Sequence, residues 1–382
     1  MPDERRPSRD DEIGQRITAA RIAKGITQAS LADALGVGPT VMSKIEAGKR
    51  RLDGFELAVL AEALGTTSRA LLGMTSRTSG LAAAARIGAG NINPALGWAR
   101  ELLELDGIAD ELGLDGRAAP RRLDHPTPRT KSGASELARE VLASTSAGIG
   151  GITDLIRLVE RDFGIDVAVE PLGNGPAGVL VQHADDIALV VLNGDDHAAR
   201  RRFTLAHELG HWLLGDSTPL VVDTDLGGNT DIERRANHFA IELLLPEDAV
   251  RGVFNSSADL VCGVVDGLVH FGVSRDAFVN RLSALRLVDQ AQATTVLDKQ
   301  VKTLFLHAGR QADYTAWVGN TPTRRLPSRI ERRLINAYSN GRIGIGLLSQ
   351  AFGESPVDLA TRLEADGITV NITLDHSALS HI

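Results

Sequence analysis

Residues 198–214 constrain this chain more tightly than any other stretch. They read as a helix that is apolar on most sides and yet carries two histidines. Phe203, Leu205, Ala206, Leu209, Trp212, Leu213 and Leu214 predict burial rather than a solvated face. Among them stands His207-Glu208-Leu209-Gly210-His211. Residues four apart lie one above the other on a helix, so the imidazoles of His207 and His211 converge on one point, spaced for a shared Zn²⁺ ion. Glu208 lies beside that point, where a carboxylate can take a proton from an activated water. Without a metal, two buried neutral histidines need partners for all four ring nitrogens, at about 1–3 kcal/mol for each one left unsatisfied. A cation uses one nitrogen from each ring.

A catalytic zinc site needs a third protein ligand and one open position. The next helix, expected over 231–245, offers Glu233 and, five residues on and on a different face, His238. Thr230 and Glu233 also fit a capping box, in which Glu233 would satisfy only a backbone N–H. The residues alone leave three readings open: Glu233, His238, or no ligand from this helix. Asn237, one turn after Glu233, is spaced to hold a ligand in orientation. His183, at the end of an expected strand, could approach the site, although a lone strand histidine is ordinarily structural. The run Arg200, Arg201, Arg202 reads as a solvated helix face.

Composition bounds the rest. With 382 residues, 43% hydrophobic and 24% charged, the chain is ordinary globular material for two or three domains. A formal charge of −8 argues against coating nucleic acid or anionic membrane over the whole surface, so any polyanion contact is local. The single cysteine, Cys262, excludes an internal disulfide and a multi-cysteine zinc cage, and fits a reducing compartment. No uncharged stretch is long enough to span a bilayer and no apolar segment follows the N-terminal charges, so the expectation is a cytoplasmic protein without membrane contact.

Along the chain, glycines at 25, 36, 48 and 65 close short apolar-periodic runs, giving four or five helices over residues 11–73. Residues 74–135 read as a connector with one helix at 94–112 and an accessible proline-bearing stretch at 120–128. Helices follow near 136–146 and 152–163, short strands at 166–169, 178–181 and 187–192, then helices near 197–214 and 231–245. A break is expected around 289–295, with a mostly helical tail beyond it.

Thr27 to Gly36 forms a capped helix, Gly36-Val37-Gly38 a tight turn, and Pro39 to Ala47 a second helix, which is a helix-turn-helix pattern. Leu31, Leu35, Val37, Val41 and Ile45 supply its inward face, and Ala32 lets the helices cross closely. Thr40, Ser43 and Lys44 face outward, suited to base edges and phosphates in a major groove. Gln28, Lys49, Arg50 and Arg51 read as phosphate contacts that hold register. A bundle used only for protein contacts stays open, because residues 1–72 carry 11 Lys/Arg against 10 Asp/Glu. That balance predicts weak, salt-sensitive affinity per monomer, and dimerisation would compensate.

Two resemblances follow. Thr27-Gln28, Leu31-Ala32, Gly36-Val37, Ser43, Glu46 and Gly48 resemble the Xre or Cro/repressor family over residues 12–72. Arg202 to Leu214, together with Glu233, Ala236, Asn237, Phe239, Ala240, Leu243, Leu244 and Pro246, resemble the ImmA/IrrE family of zinc metallopeptidases. That second resemblance implies His207, His211 and Glu233 as zinc ligands and Glu208 as general base. The expected fold is multidomain and mainly α: a five-helix helix-turn-helix bundle, an α+β zincin-like domain with a small sheet, and a helical C-terminal module. The expected boundaries are 1–73 for DNA binding, 74–135 for the connector, 136–288 for the metallopeptidase and 296–382 for docking or dimerisation.

The function these resemblances imply is a regulator that binds operator DNA as a homodimer and cleaves a repressor or partner protein with Zn²⁺. The alternative is a non-proteolytic Xre regulator, or the antitoxin of a toxin–antitoxin pair, whose zincin-like domain senses a ligand or binds a partner.

Overall fold

A computed structural model of the chain describes residues 9–64, 66, 68–72, 93–114, 119–123, 130–145, 151–183, 187–215, 220–223, 231–319 and 324–370. The chain divides into two compact units, residues 1–79 and 80–382.

The first unit holds α1 (Arg9–Lys24), α2 (Gln28–Leu35), α3 (Pro39–Glu46), α4 (Gly54–Leu64) and α5 (Ser68–Leu71). The Thr27 hydroxyl caps α2 by accepting from the Ser30 N–H at 3.1 Å, and Gly36, at φ 71°, ends it in the left-handed region that glycine adopts without strain. Pro39 then starts α3, where its missing N–H costs nothing. Ile17, Leu31, Ala32, Met42, Ile45 and Leu60 form the centre of the core, while Leu35, Val37 and Val41 pack around it half-buried. Met42 takes the central place on α3 that the sequence pattern gave to Val41. Gly14 fixes the crossing of α1 over α3: a Cβ there would stand 2.4 Å from the Glu46 carbonyl oxygen.

The second unit begins with α6 (Asn93–Glu111), α7 (Lys131–Ser144) and α8 (Leu155–Phe163). Strands β1 (Asp166–Glu170), β2 (Gly178–His183) and β3 (Ile187–Asn193) follow, then α9 (Ala198–Leu213), β4 (Leu220–Asp223) and α10 (Asp231–Leu244). Helices α11 (Glu247–Asn255), α12 (Leu260–Phe271), α13 (Arg275–Ala284), α14 (Gln290–Leu297), α15 (Val301–His307) and α16 (Gln311–Gly319) come next. The described part of the unit ends with α17 (Ser328–Ser339), α18 (Ile345–Phe352) and α19 (Pro356–Ala365). The sheet has the order β1-β3-β2-β4, with β1 parallel to β3 and the other pairs antiparallel.

Every residue of β3 is buried. Ala188, Val190 and Leu192 face one core, which contains α9, and Ile187, Leu189 and Val191 face a second core on the other side of the sheet. A strand covered on both faces needs no polar alternation, which explains the unbroken apolar run. Leu96, Leu102 and Leu103 of α6 and Ile330, Leu334, Leu348, Leu359 and Leu363 of the last three helices build that second core. The helix expected inside a connector and the tail expected as a separate module therefore cover one face of the same sheet. Asp106 ties them together: it is fully buried on α6 and accepts bonds from Arg329 at 2.6 and 2.8 Å and from Arg333.

The break expected around 289–295 is a helix instead. Asp289 caps α14 in a reciprocal capping box, accepting from the Gln292 N–H at 2.8 Å while the Gln292 side chain accepts from the Asp289 N–H at 2.9 Å. Ala293, Val296, Leu304 and Phe305 continue the first core past that point. The stretch expected to be accessible at 120–128 is described only as far as residue 123. There the Arg121 N–H bonds the Phe163 carbonyl at 2.7 Å and the Arg122 guanidinium stacks on Trp212 at 4.1 Å. Residues 124–129 lie outside the described residues. Among the described residues, no helix is long and apolar enough to cross a membrane.

Candidate functional site

In the first unit, Thr40, Ser43, Lys44, Lys49 and Arg51 are exposed, as the outward face of α3 and the turn after it require. Gln28 and Arg50 are engaged within the unit. The Gln28 amide donates to Glu46 at 2.8 Å, beside an Arg21 fork that meets the same carboxylate at 2.6 and 3.1 Å. Burial pushes the Glu46 carboxyl up, but the bonds from Arg21 and Gln28 outweigh it and hold the group below its ordinary range. Arg50 holds Glu56 at 2.7 and 3.2 Å. Both side chains would have to exchange these partners to reach a phosphate.

In the second unit, α9 packs on α10 through Gly210, where an added Cβ would stand 3.0 Å from the Phe239 ring and 3.3 Å from the Ala236 carbonyl oxygen. That close approach brings Glu233, on the first turn of α10, over the two histidines. His207 Nε2 lies 2.8 Å from His211 Nε2 and 3.2 Å from a Glu233 oxygen, and the other Glu233 oxygen lies 3.5 Å from His211 Nε2. The three donor atoms fall within 4.8 Å of one another, a spacing that can hold one metal ion. Both rings are buried and stand nearly perpendicular, at 82°.

His207 Nδ1 meets the Asn237 amide oxygen at 3.0 Å, a bond that, with the ring proton on Nδ1, turns the Nε2 lone pair toward the cluster. Burial, with the neighbouring His207, pushes the His211 pKa down to about 4, against the attraction of Glu233. The Glu233 carboxyl is held below its ordinary value by its bond from His207, against burial, with the His211 charge adding to the effect. A neutral His211 ring beside an ionised Glu233 carboxylate suits metal binding, which needs deprotonated donors.

His238 stands apart from the cluster, because its Nε2 meets the Ser135 hydroxyl of α7 at 2.8 Å. Thr230, the capping-box partner considered for Glu233, and the His183 side chain lie outside the described residues. Of the arginine run, Arg200 is exposed as expected, whereas Arg201 is buried and bonds the Gly194 carbonyl at 3.2 Å, and Arg202, half-buried, donates to the Ile152 carbonyl. Burial lowers the Arg202 pKa to about 10 despite Asp154 nearby.

Glu208 is fully buried, against the start of β2. A Cβ on Gly178 would stand 2.5 Å from the Thr204 methyl and 3.5 Å from a Glu208 carboxylate oxygen. Neither Gly178 nor Thr204 was legible as part of the site, because the contact joins elements that are remote in sequence. The only available signal was a threonine one helical turn before the glutamate.

Residues 160–283 match the family model described as IrrE N-terminal-like domain, and residues 17–71 match that described as helix-turn-helix. A radiation response metalloprotease IrrE from Deinococcus deserti is 30% identical over 130 residues, covering 33% of this chain and 44% of that protein. The chain thus spans less than half of that relative's length. Two solved structures of the competence regulator ComR align at 12% identity. The apo form from Streptococcus vestibularis aligns over 82% of this chain and 99% of that one with a TM-score of 0.17, and the Streptococcus suis protein over 94% of each with a TM-score of 0.16. Scores this low assign no fold. By the two family models, residues 17–71 are a helix-turn-helix domain and residues 160–283 an IrrE N-terminal-like domain, joined in one chain.

Proposed function

We propose that the chain is a DNA-binding transcriptional regulator whose second unit is a zinc-dependent endopeptidase acting on a repressor or other partner protein. The observation that carries this reading is the meeting of His207, His211 and Glu233 donor atoms within 4.8 Å, beside a buried Glu208. Two imidazoles and one carboxylate, with a ring proton held by Asn237, are a donor set that suits Zn²⁺ and leaves a position open. Bound there, the ion supplies Lewis acidity toward a peptide carbonyl and toward water.

The chain's own residues do the rest. Asn237 keeps the His207 ring in the tautomer that binds. Glu208 takes the proton of the attacking water and passes it to the leaving amine. The fully buried position of Glu208 keeps bulk water from competing for that proton. The test is cleavage of a repressor-like or other protein encoded beside this one: cutting by the zinc-loaded protein, loss on chelation and recovery on adding zinc are expected. Cutting that persists under exhaustive chelation would overturn the zinc-dependent reading.

For DNA, the reading assigns α3 to the major groove of an operator, with a homodimer compensating the near-neutral charge of the unit. Exposed Lys44 is the cation on that face. Lys44→Ala is expected to weaken operator binding and to lower the slope of log affinity against log salt by about 1, as loss of one phosphate contact does. A titration at several salt concentrations checks this, and an unchanged affinity and slope would remove Lys44 from the interface.

A further inference from the structure

Thr204 is fully buried, and its hydroxyl has no hydrogen-bond partner among the described residues. A threonine on a helix ordinarily returns its proton to the carbonyl one turn back, and an orphaned hydroxyl in a core costs about 1–3 kcal/mol. Valine has nearly the same shape and would avoid that cost. The hydroxyl therefore needs a reason, and the neighbours supply one. Thr204 stands four residues before Glu208, so the two side chains share one helix face, with Cβ atoms about 6 Å apart. Gly178 lies against both, with a Cβ position 2.5 Å from the Thr204 methyl and 3.5 Å from a Glu208 carboxylate oxygen. A side chain at 178 would separate threonine from glutamate, and glycine leaves the space between them clear.

We propose that Thr204 is a positioning residue for Glu208: its hydroxyl leaves the partnerless position it holds among the described residues and donates to the ionised carboxylate, in the metal-free chain as in turnover. This rests on the reading of Glu208 as general base. The hydroxyl holds one carboxylate oxygen while the other faces the water.

The experiment has two arms. In the metal-free full chain, thermal unfolding is followed for Thr204→Val, Glu208→Ala and the double variant. Thr204→Val is expected to lower the midpoint by about 2–4 °C in the parent and to leave it unchanged or raised when Glu208 is alanine. In the zinc-loaded protein, Thr204→Val is expected to lower kcat by about 10–100-fold with KM within twofold, and Thr204→Ser to restore most of the loss. Equal midpoint shifts in both backgrounds would overturn the proposal, and so would a kcat unaffected by valine. If the valine variant does not fold, Thr204→Ala in the same cycle gives the same decision. A parent protein that cuts nothing would defeat the peptidase reading alone, since the unfolding cycle judges the Thr204–Glu208 contact without activity.

Discussion

Glu208→Gln is expected to abolish peptide cleavage while leaving the metal content unchanged. The side chain is fully buried on α9, so an amide of the same shape fits without exposing a new surface. Glutamine keeps the size and a hydrogen-bonding oxygen but cannot take a proton at neutral pH. A positioned acid or base contributes about 10²–10⁴-fold to such a step, and the loss should fall in that range or beyond it. Because Glu208 is adjacent to His207 and not one of the three converging groups, zinc stoichiometry should stay at the parent value. Turnover of a cleaved partner, measured beside metal content on the same preparation, checks both halves. Equal cutting by the variant would remove Glu208 as base, and loss of metal would make it part of the binding set.

Asp106→Ala is expected to destabilise the second unit by about 3 kcal/mol, because two cations each lose one of their charged partners. Arg329 forks onto Asp106 at 2.6 and 2.8 Å and reaches Asp166 of β1 at 2.7 Å, while Arg333 bonds Asp106 as well. Burial acts to lower the Arg329 pKa, and its bonds to the two aspartates more than reverse this. Removal of Asp106 leaves Arg329 with Asp166 alone and Arg333 with the half-buried Asp110. All three tryptophans, Trp98, Trp212 and Trp317, lie in this unit, so their emission during denaturant unfolding reports it alone. A loss below about 1 kcal/mol would mean that the clasp is as weak as a surface ion pair and that the apolar contacts alone hold α6.

The parts of this architecture that were legible in the sequence share a physical cause. Helices α2 and α3 announce themselves through a capping threonine, a positive-φ glycine and Pro39, all local signals. The spacing of His207 and His211 is local too, because one turn of helix fixes it. Glu233 was one of three readings on spacing alone, since its place over the histidines depends on how α10 crosses α9, and Gly210 sets that crossing. His238 was separated from the site by Ser135, a residue 103 positions earlier.

What stayed illegible is long-range. Asp106 looked like one charge in a connector helix, yet its partners lie 223 and 227 residues later. Strand β4 is a four-residue strand that gains its identity from pairing with β2. The arginines at 201 and 202 read as solvated because charge usually is, whereas a carbonyl at the end of each side chain lets them be buried. Met42 is fully buried on α3 while Val41 packs half-buried at the edge of the same core, a shift of one residue in helix phase.

The claim on which the rest depends is that one divalent ion is held jointly by two rings of α9 and one acid of α10. Elemental analysis of the purified chain, repeated on Glu233→Ala, tests it most directly. One zinc per chain is expected for the parent, with affinity lower by at least about 100-fold in the variant, since a ligand should matter more than an outer-shell partner. A parent that takes up no metal, or a variant that binds zinc as tightly as the parent, would contradict it.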